Sequence, residues 1–429
     1  MSRSLFRGEI LATPSDPRDA PDSIVHFDDG LLVVENGHVA AIGAHHELAG
    51  RFGEAAERLP GLIVPGFIDA HVHYPQVERI ASHGAQLLEW LDRHIFPAEV
   101  AFADRRHCDA IAAFFLDQLL AHGTTSALVF ATVHAHSVDA LFEAALAREM
   151  RIISGKVLMD LGPADLRDTV VSGTAESAAL IAKWRGKGRL GYAVTPRFAL
   201  TSSDAQLAAA GELLATHPDV LLHTHLAENQ HEIEAARARF ATDYLAAYAK
   251  FGLVDRRSVF AHCVHLDDDA MARMAAAGAG IAFCPTSNLF LGSGLFDLAK
   301  ADRHGVRVGI GTDIGAGTSL SLLQTLGEAY KVGQLRGETL DPFRALYLAT
   351  MGGARLMGIG EKVGALQVGQ EADFAVLDDA ATPLLARRTA GASLHDRLFA
   401  LQILGDARAV ARTYVLGRLA WSRSARETA

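Results

Sequence analysis

The chain has 429 residues, half of them hydrophobic and 21% charged, with a formal net charge of −10 at pH 7. That much apolar side chain builds a sizeable core and excludes disorder as the main state, while the acidic balance excludes a general affinity for nucleic acid or an anionic membrane surface. No segment approaches the ~18 uninterrupted apolar residues of a membrane span, and Cys108, Cys263 and Cys284 form no CxxC pair, so a cytoplasmic protein without a disulfide framework or thiolate metal site is expected.

From about Leu5 to Val64 the sequence reads as strands broken by turns. "GEILAT" precedes a Pro/Asp-rich loop, "PSDPRDAPDS", and "IVHFDDGLLVVENGHVAAIG" follows, with "DDG" and "ENG" placed between apolar runs as hairpin turns are. From Pro65 to about Leu356, short apolar strands alternate with longer Ala/Leu-rich helical segments, as in "TTSALVFATV" then "SVDALFEAALAREM", or "SVFAHCVHL" then "DDDAMARMAAAG". Such alternation implies βαβ units, and this many of them suits a closed barrel better than a small open sheet. After Gly364 the β character returns in "GALQVGQEADFAVLDD" and "RAVARTYVLGRLAW", with a helix around "SLHDRLFALQIL". The expected architecture is α/β: a (β/α)8 TIM-like barrel over residues 65–363, flanked by a small β-sandwich domain assembled from residues 1–64 and 364–429.

In such a barrel the chemistry sits at the C-terminal ends of the strands. His71 and His73, in "VPGFIDAHVHYPQ", stand two residues apart and so share one face of a strand. "LLHTHLAEN" repeats the spacing with His223 and His225, and Glu228 follows. His262 in "FAHC", Asp313 in "GIGTD" and Arg197 in "TPRF" end further strands. Imidazoles with a carboxylate are the ligand set that zinc prefers and iron tolerates. Each piece has a blander explanation, since buried histidines are often satisfied by backbone and an Asp after Gly-Thr is often a turn or cap residue. Ligand-type residues on four strand ends, in barrel order, point instead to a metal site.

Taken together, "PGFIDAHVH", "HTHLAE", "AHC" and "GTD" resemble the amidohydrolase superfamily, whose members join a metal-dependent barrel to a β-sandwich built from both chain ends. The resemblance implies that His71, His73, His225 and Asp313 bind the metal, that Glu228 shuttles protons, and that His262 contacts the hydrolytic water or the substrate. Asp313 is further expected to hold the water's second proton. Two-metal members use a carboxylated lysine at the end of the fourth strand; "SGKVLMD", taken for that strand, has Lys156 before the apolar run and ends on Asp160. One zinc per chain is expected, with iron as the alternative. His223 is read as structural, and His94, His134 and His136 receive no role beyond lining a pocket.

Within that superfamily, "YPQ" after "HVH", "EWLDRHIFPAE", "VFATVH", "GKVLMD", "PRFALTSS", "FCPTSNLFLGSG" and "GTDIGAGTS" are similar to segments of the guanine deaminases. The implied reaction is hydrolytic deamination of guanine to xanthine and ammonia, in purine catabolism or salvage, on a small-molecule purine and within a homodimer. Arg197, a fork of donors, suits a ring carbonyl, and Gln76 suits an edge offering both donor and acceptor. By resemblance they belong to the substrate pocket with Phe198 and His262, while Trp90 and Phe96 either line it or belong to the core. "FCPTSNLFLGSG" is expected to form a loop after the seventh strand that closes over the ligand, with Asn288, Gly292 and Gly294 permitting unusual backbone angles. Aminohydrolases of 8-oxoguanine, methylthioadenosine-like nucleosides or triazines share the metal set. An inactive barrel serving as a scaffold is the alternative of another class, opposed by the intact ligand positions.

Overall fold

The computed structural model describes residues 2–53, 55–84 and 86–423; the outermost ends of the expected terminal domain, residue 1 and residues 424–429, lie outside the described residues. Strands β1 (Arg3–Ala12), β2 (Val25–Glu35), β3 (His38–Ala44) and β4 (Glu57–Pro65) come first. Then β5 (Phe67–His73), β6 (Thr124–Phe130), β7 (Arg151–Gly155), β8 (Val157–Leu158), β9 (Gly191–Pro196), β10 (Leu221–Leu226), β11 (Ser258–His262), β12 (Gly280–Phe283) and β13 (Arg307–Ile310) alternate with helices. Strands β14 (Phe374–Leu377), β15 (Val410–Val415) and β16 (Arg418–Ser422) follow.

Strands β5, β6, β7, β9, β10, β11, β12 and β13 lie side by side in that order and pair in parallel, while β8 prolongs β7 past Lys156 and pairs with β9. Helices cover the outside, so the strands are buried on both faces; every residue of β5 and of β6 is buried, which is why they read as unbroken apolar runs. Side-chain and loop bonds draw β13 and β5 together. The Asp313 N–H donates to the His71 carbonyl at 2.8 Å and the His73 N–H to the Ile314 carbonyl at 3.0 Å. Below them, the Asp69 carboxylate accepts from the Thr312 N–H at 3.0 Å and its hydroxyl at 2.5 Å. The seam of the barrel therefore runs through the residues the sequence marks as metal ligands.

Both ends of the chain meet in one seven-stranded sheet, ordered β16-β15-β14-β4-β1-β2-β3, antiparallel except where β1 meets β4. Its two faces follow the period of two. Phe374 and Val376 of β14 join Phe6, Ile10 and Tyr414 in the sheet's own core, whereas Ala375 and Leu377 join Leu62, Val64 and the barrel's core. Arg189, just before β9, bonds Glu371 at 2.7 Å and Asp373 at 2.5 Å and so ties the barrel to this sheet.

Three sequence expectations need correction. "DDG" is no turn: Asp28, Asp29 and Gly30 lie within β2, and a Cβ on Gly30 would stand 2.6 Å from Ile10 Cδ1, so close packing across the β1–β2 pair explains the glycine. The turn falls at Asn36 and Gly37, both left-handed, as "ENG" predicts. "SGKVLMD" belongs to the third barrel strand; the fourth is β9, which leads into Arg197. "FCPTSNLF" is not simply a loop, because Pro285–Phe290 forms a helix opened by a proline.

Candidate metal and substrate site

Strand β5 carries His71 and His73 to the rim on one face, and β10 carries His225 beside them. Nε2 of His73 lies 3.2 Å from Nε2 of His71 and 3.2 Å from Nε2 of His225. Asp313 Oδ1 lies 3.1 Å from His71 Nε2 and 3.3 Å from His73 Nε2. Ligands ~2.0–2.1 Å from a tetrahedral zinc stand roughly 3.3–3.4 Å from one another. These four separations, 3.1–3.3 Å, are close to that spacing.

Their electrostatics favour the same occupant. The Nδ1–H of His225 donates to the Arg197 carbonyl at 2.7 Å, which leaves its Nε2 lone pair facing the cluster. Nδ1 of His71 rests 2.7 Å from Nε2 of His223. Burial pushes the imidazoles below their ordinary value, His73 to about 3 and His225 well down, so the rings are neutral at pH 7. Burial would raise the Asp313 carboxyl, but its contacts with the imidazoles, His71 first and then His73, overcome it and hold the group well below the usual range. Lone pairs outnumber protons where these atoms meet, and a cation resolves the conflict. His262 is close enough to join: among the described residues, ligand atoms of His71, His225, His262 and Asp313 all lie within 4.8 Å of one another.

The backbone at this rim is strained. His262, Cys263 and Asp313 have φ of 73°, 52° and 50°, a region that costs a non-glycine residue on the order of 1–3 kcal/mol. The turn brings His262 inward, where its Nδ1–H donates to Asn288 Oδ1 at 2.9 Å and its Nε2 stands 3.4 Å from Glu228 Oε2. Glu228 also accepts from the Ser293 hydroxyl at 3.0 Å. Burial first, then the charge of Asp313, raise its carboxyl to about 8, against the Ser293 bond. Its backbone is fixed in turn. Glu232, third residue of the helix Gln230–Phe240, accepts from the Glu228 N–H at 3.1 Å and is itself held by the Tyr244 hydroxyl at 2.7 Å.

A cavity opens on this cluster. His73, His225, Glu228, His262 and Asp313 line it together with Gln76, Arg197, Phe198 and Trp90. Leu87, Trp90 and Leu91 pack with Leu291 and Ala316 along the same cavity. Arg197 stacks on Phe96, 5.1 Å from the ring centroid, so Phe96 supports the guanidinium from outside the lining.

The other sequence candidates lie elsewhere. His223 stays off the cavity and touches His71. The half-buried His94 binds the His83 carbonyl at 2.7 Å, His136 binds the Phe102 carbonyl at 2.8 Å and stacks on His134, and none of the three lines the cavity. Lys156 is fully buried against Asp168 at 2.5 Å. Gly292 and Gly294 have φ of 65° and 135°, as expected, and frame Ser293.

Sequence reasoning passed over Asp69, Ser293, Glu232 and Glu99. Asp69 and Ser293 sit inside segments already singled out, and Glu232 carries the capping-box signal three residues after Asn229. Glu99 ends the "EWLDRHIFPAE" segment, but nothing in its spacing shows that it reaches Arg197.

Comparison with known proteins bears on the whole arrangement. A model of the Amidohydrolase family matches residues 62–420. The chain is an amidohydrolase. Guanine deaminase of Escherichia coli (strain K12) is 47% identical over 424 residues, covering 97% of this amidohydrolase and 96% of that enzyme, and its solved structure has a TM-score of 0.95, with 99% and 100% of the two chains covered. A guanine deaminase from C. acetobutylicum, solved with guanine in its active site, is 26% identical over 97% of this chain and 100% of its own, with a TM-score of 0.89. An adenosine deaminase from Xanthomonas campestris, solved with bound zinc, is 25% identical, covers 97% of this chain and 92% of its own, and has a TM-score of 0.85. Amidohydrolases are metal-dependent hydrolases, and the buried His/Asp cluster of this one fits a metal.

Proposed function

We infer that this amidohydrolase deaminates guanine to xanthine and ammonia, and we propose that it does so with one zinc held by His71, His73, His225 and Asp313. The observation that carries the reading is a single cavity joining that ligand cluster and Glu228 to the guanidinium of Arg197 and the amide of Gln76. Likeness to guanine deaminases over nearly the full length supports it.

The reaction adds water at C2 of guanine and expels the exocyclic amine. Held by His71, His73, His225 and Asp313, a divalent cation would make a hydroxide-like water available at neutral pH, because it would lower the water's pKa toward ~7. Glu228, beside His262 and held by the Ser293 hydroxyl, is the residue to take the proton from that water and deliver it to the adjacent ring nitrogen, then to bring a proton to the departing amine. Asp313, ionised beside the imidazoles, accepts a hydrogen bond from the water. His262, with its Nδ1–H committed to Asn288, turns Nε2 toward Glu228 and the reacting centre. Arg197 donates to the ring carbonyl, Gln76 reads the neighbouring edge, and Phe198 lines the base.

A homodimer and a role in purine catabolism or salvage belong to the same reading. A cytoplasmic location agrees with three cysteines that are buried and unpaired. Ammonia release from guanine, 8-oxoguanine, adenine, methylthioadenosine and melamine tests the substrate: guanine is expected to give the highest kcat/KM, and faster release from any other member of the panel would overturn the assignment.

A further inference from the structure

Glu99 lies behind the substrate cavity without lining it, and it is 1% exposed. Its two carboxylate oxygens are divided between two cavity residues. Oε2 accepts from Arg197 Nη1 at 2.7 Å, and Oε1 accepts from Gln76 Nε2 at 3.2 Å. The far side of the Gln76 amide is fixed as well, since its Oε1 accepts from the Gly315 N–H at 3.1 Å. Gln76 therefore cannot exchange its oxygen and nitrogen without breaking both bonds.

Both neighbours present donors to Glu99, so the bridge requires an acceptor on each of its two arms. Only a carboxylate meets that demand. A glutamine of the same shape has one acceptor, and its NH2 group would face either the Arg197 or the Gln76 N–H. With Phe96 under the guanidinium and Glu99 at one of its nitrogens, the remaining Arg197 donors are committed in direction.

Building on the guanine reading above, we propose that Glu99 is a positioning residue that sets the preference for a purine bearing a carbonyl at position six, by fixing the donor direction of Arg197 and the amide orientation of Gln76. It acts before substrate arrives and touches none of the reacting atoms. Its effect falls on recognition and leaves proton transfer alone.

The test compares Glu99→Gln, which keeps the shape and loses an acceptor, with Glu99→Asp, which shortens the arm and keeps two acceptors. Guanine turnover is measured beside inhibition by 2-aminopurine, which keeps the two-position amine and lacks the six-position oxygen together with the N1 proton. In Glu99→Gln, kcat/KM for guanine is expected to fall about 10- to 100-fold, mainly through KM, while the 2-aminopurine inhibition constant moves less than about threefold. Glu99→Asp is expected to retain more of the guanine preference than Glu99→Gln, although it is the poorer fit in volume. Glu99→Gln matching the wild type, equal loss toward both bases, or a ranking of Gln above Asp would each overturn the proposal while leaving the functional reading intact. A wild-type enzyme that neither turns over guanine nor prefers it to 2-aminopurine would overturn that reading, and the proposal with it.

Discussion

His223 never reaches the cavity, yet it governs how His71 can present itself to an ion. With His71 Nδ1 paired to His223 at 2.7 Å, the ring is held with Nε2 toward Asp313. Partners of this kind typically change metal affinity 10- to 100-fold when removed. His223→Phe, which fills the space without offering a nitrogen, is expected to weaken zinc binding by about that factor in competition against a chelator, with the fold retained; unchanged affinity would contradict the role. The spacing of two residues was enough to place both imidazoles of each pair on one face, because strand periodicity is local. Which of His223 and His225 turns into the cluster depends on β5, distant in sequence, and no local pattern carries that. Glu99 was illegible for the same reason. It lies on a short helix, Phe96–Val100, and its partners come from two other segments.

Between elements, the junction of barrel and terminal sheet is held by buried charge. Glu371 takes bonds from Arg151 Nε at 2.9 Å and Arg189 Nη2 at 2.7 Å. Burial alone would lift its carboxyl, but the two arginines overcome it and hold the group below the usual glutamate range. A carboxyl lowered in the folded state adds stability that is present above its unfolded value, ~4.3, and is lost as the pH falls through the folded value. Glu371→Gln is therefore expected to cost about 3 kcal/mol at pH 7, because Arg189 loses a buried partner, and less in acid below the usual glutamate range, where the native protein has lost the same contribution. Denaturant midpoints at the two pH values check this, and an equal loss at both would contradict it. Element boundaries were misread where one residue type serves two purposes. Gly30 allows Ile10 to approach, whereas Gly37 allows a left-handed turn, and the two look alike in sequence. Lys156 interrupts the third strand between β7 and β8, which hid its place in the barrel order.

Across the whole molecule, strand–helix alternation was enough to predict a barrel, and β-rich text at both ends was enough to predict a shared terminal sheet. The closing seam was not readable, since Asp69, Thr312 and Asp313 meet only once β13 lies beside β5. Trp90 was readable as a candidate to line the pocket, but the wall it forms with Leu87, Leu91 and Leu291 depends on how the rim segments pack. What the assembled rim does is decided most directly by ammonia release from guanine, measured on zinc-loaded wild type and on Glu228→Gln with metal content determined in parallel. The account predicts turnover to xanthine by the wild type and a loss of at least about a thousandfold in kcat for the variant at equal zinc occupancy. A variant that retains turnover, or a zinc-loaded wild type that releases no ammonia, would contradict it.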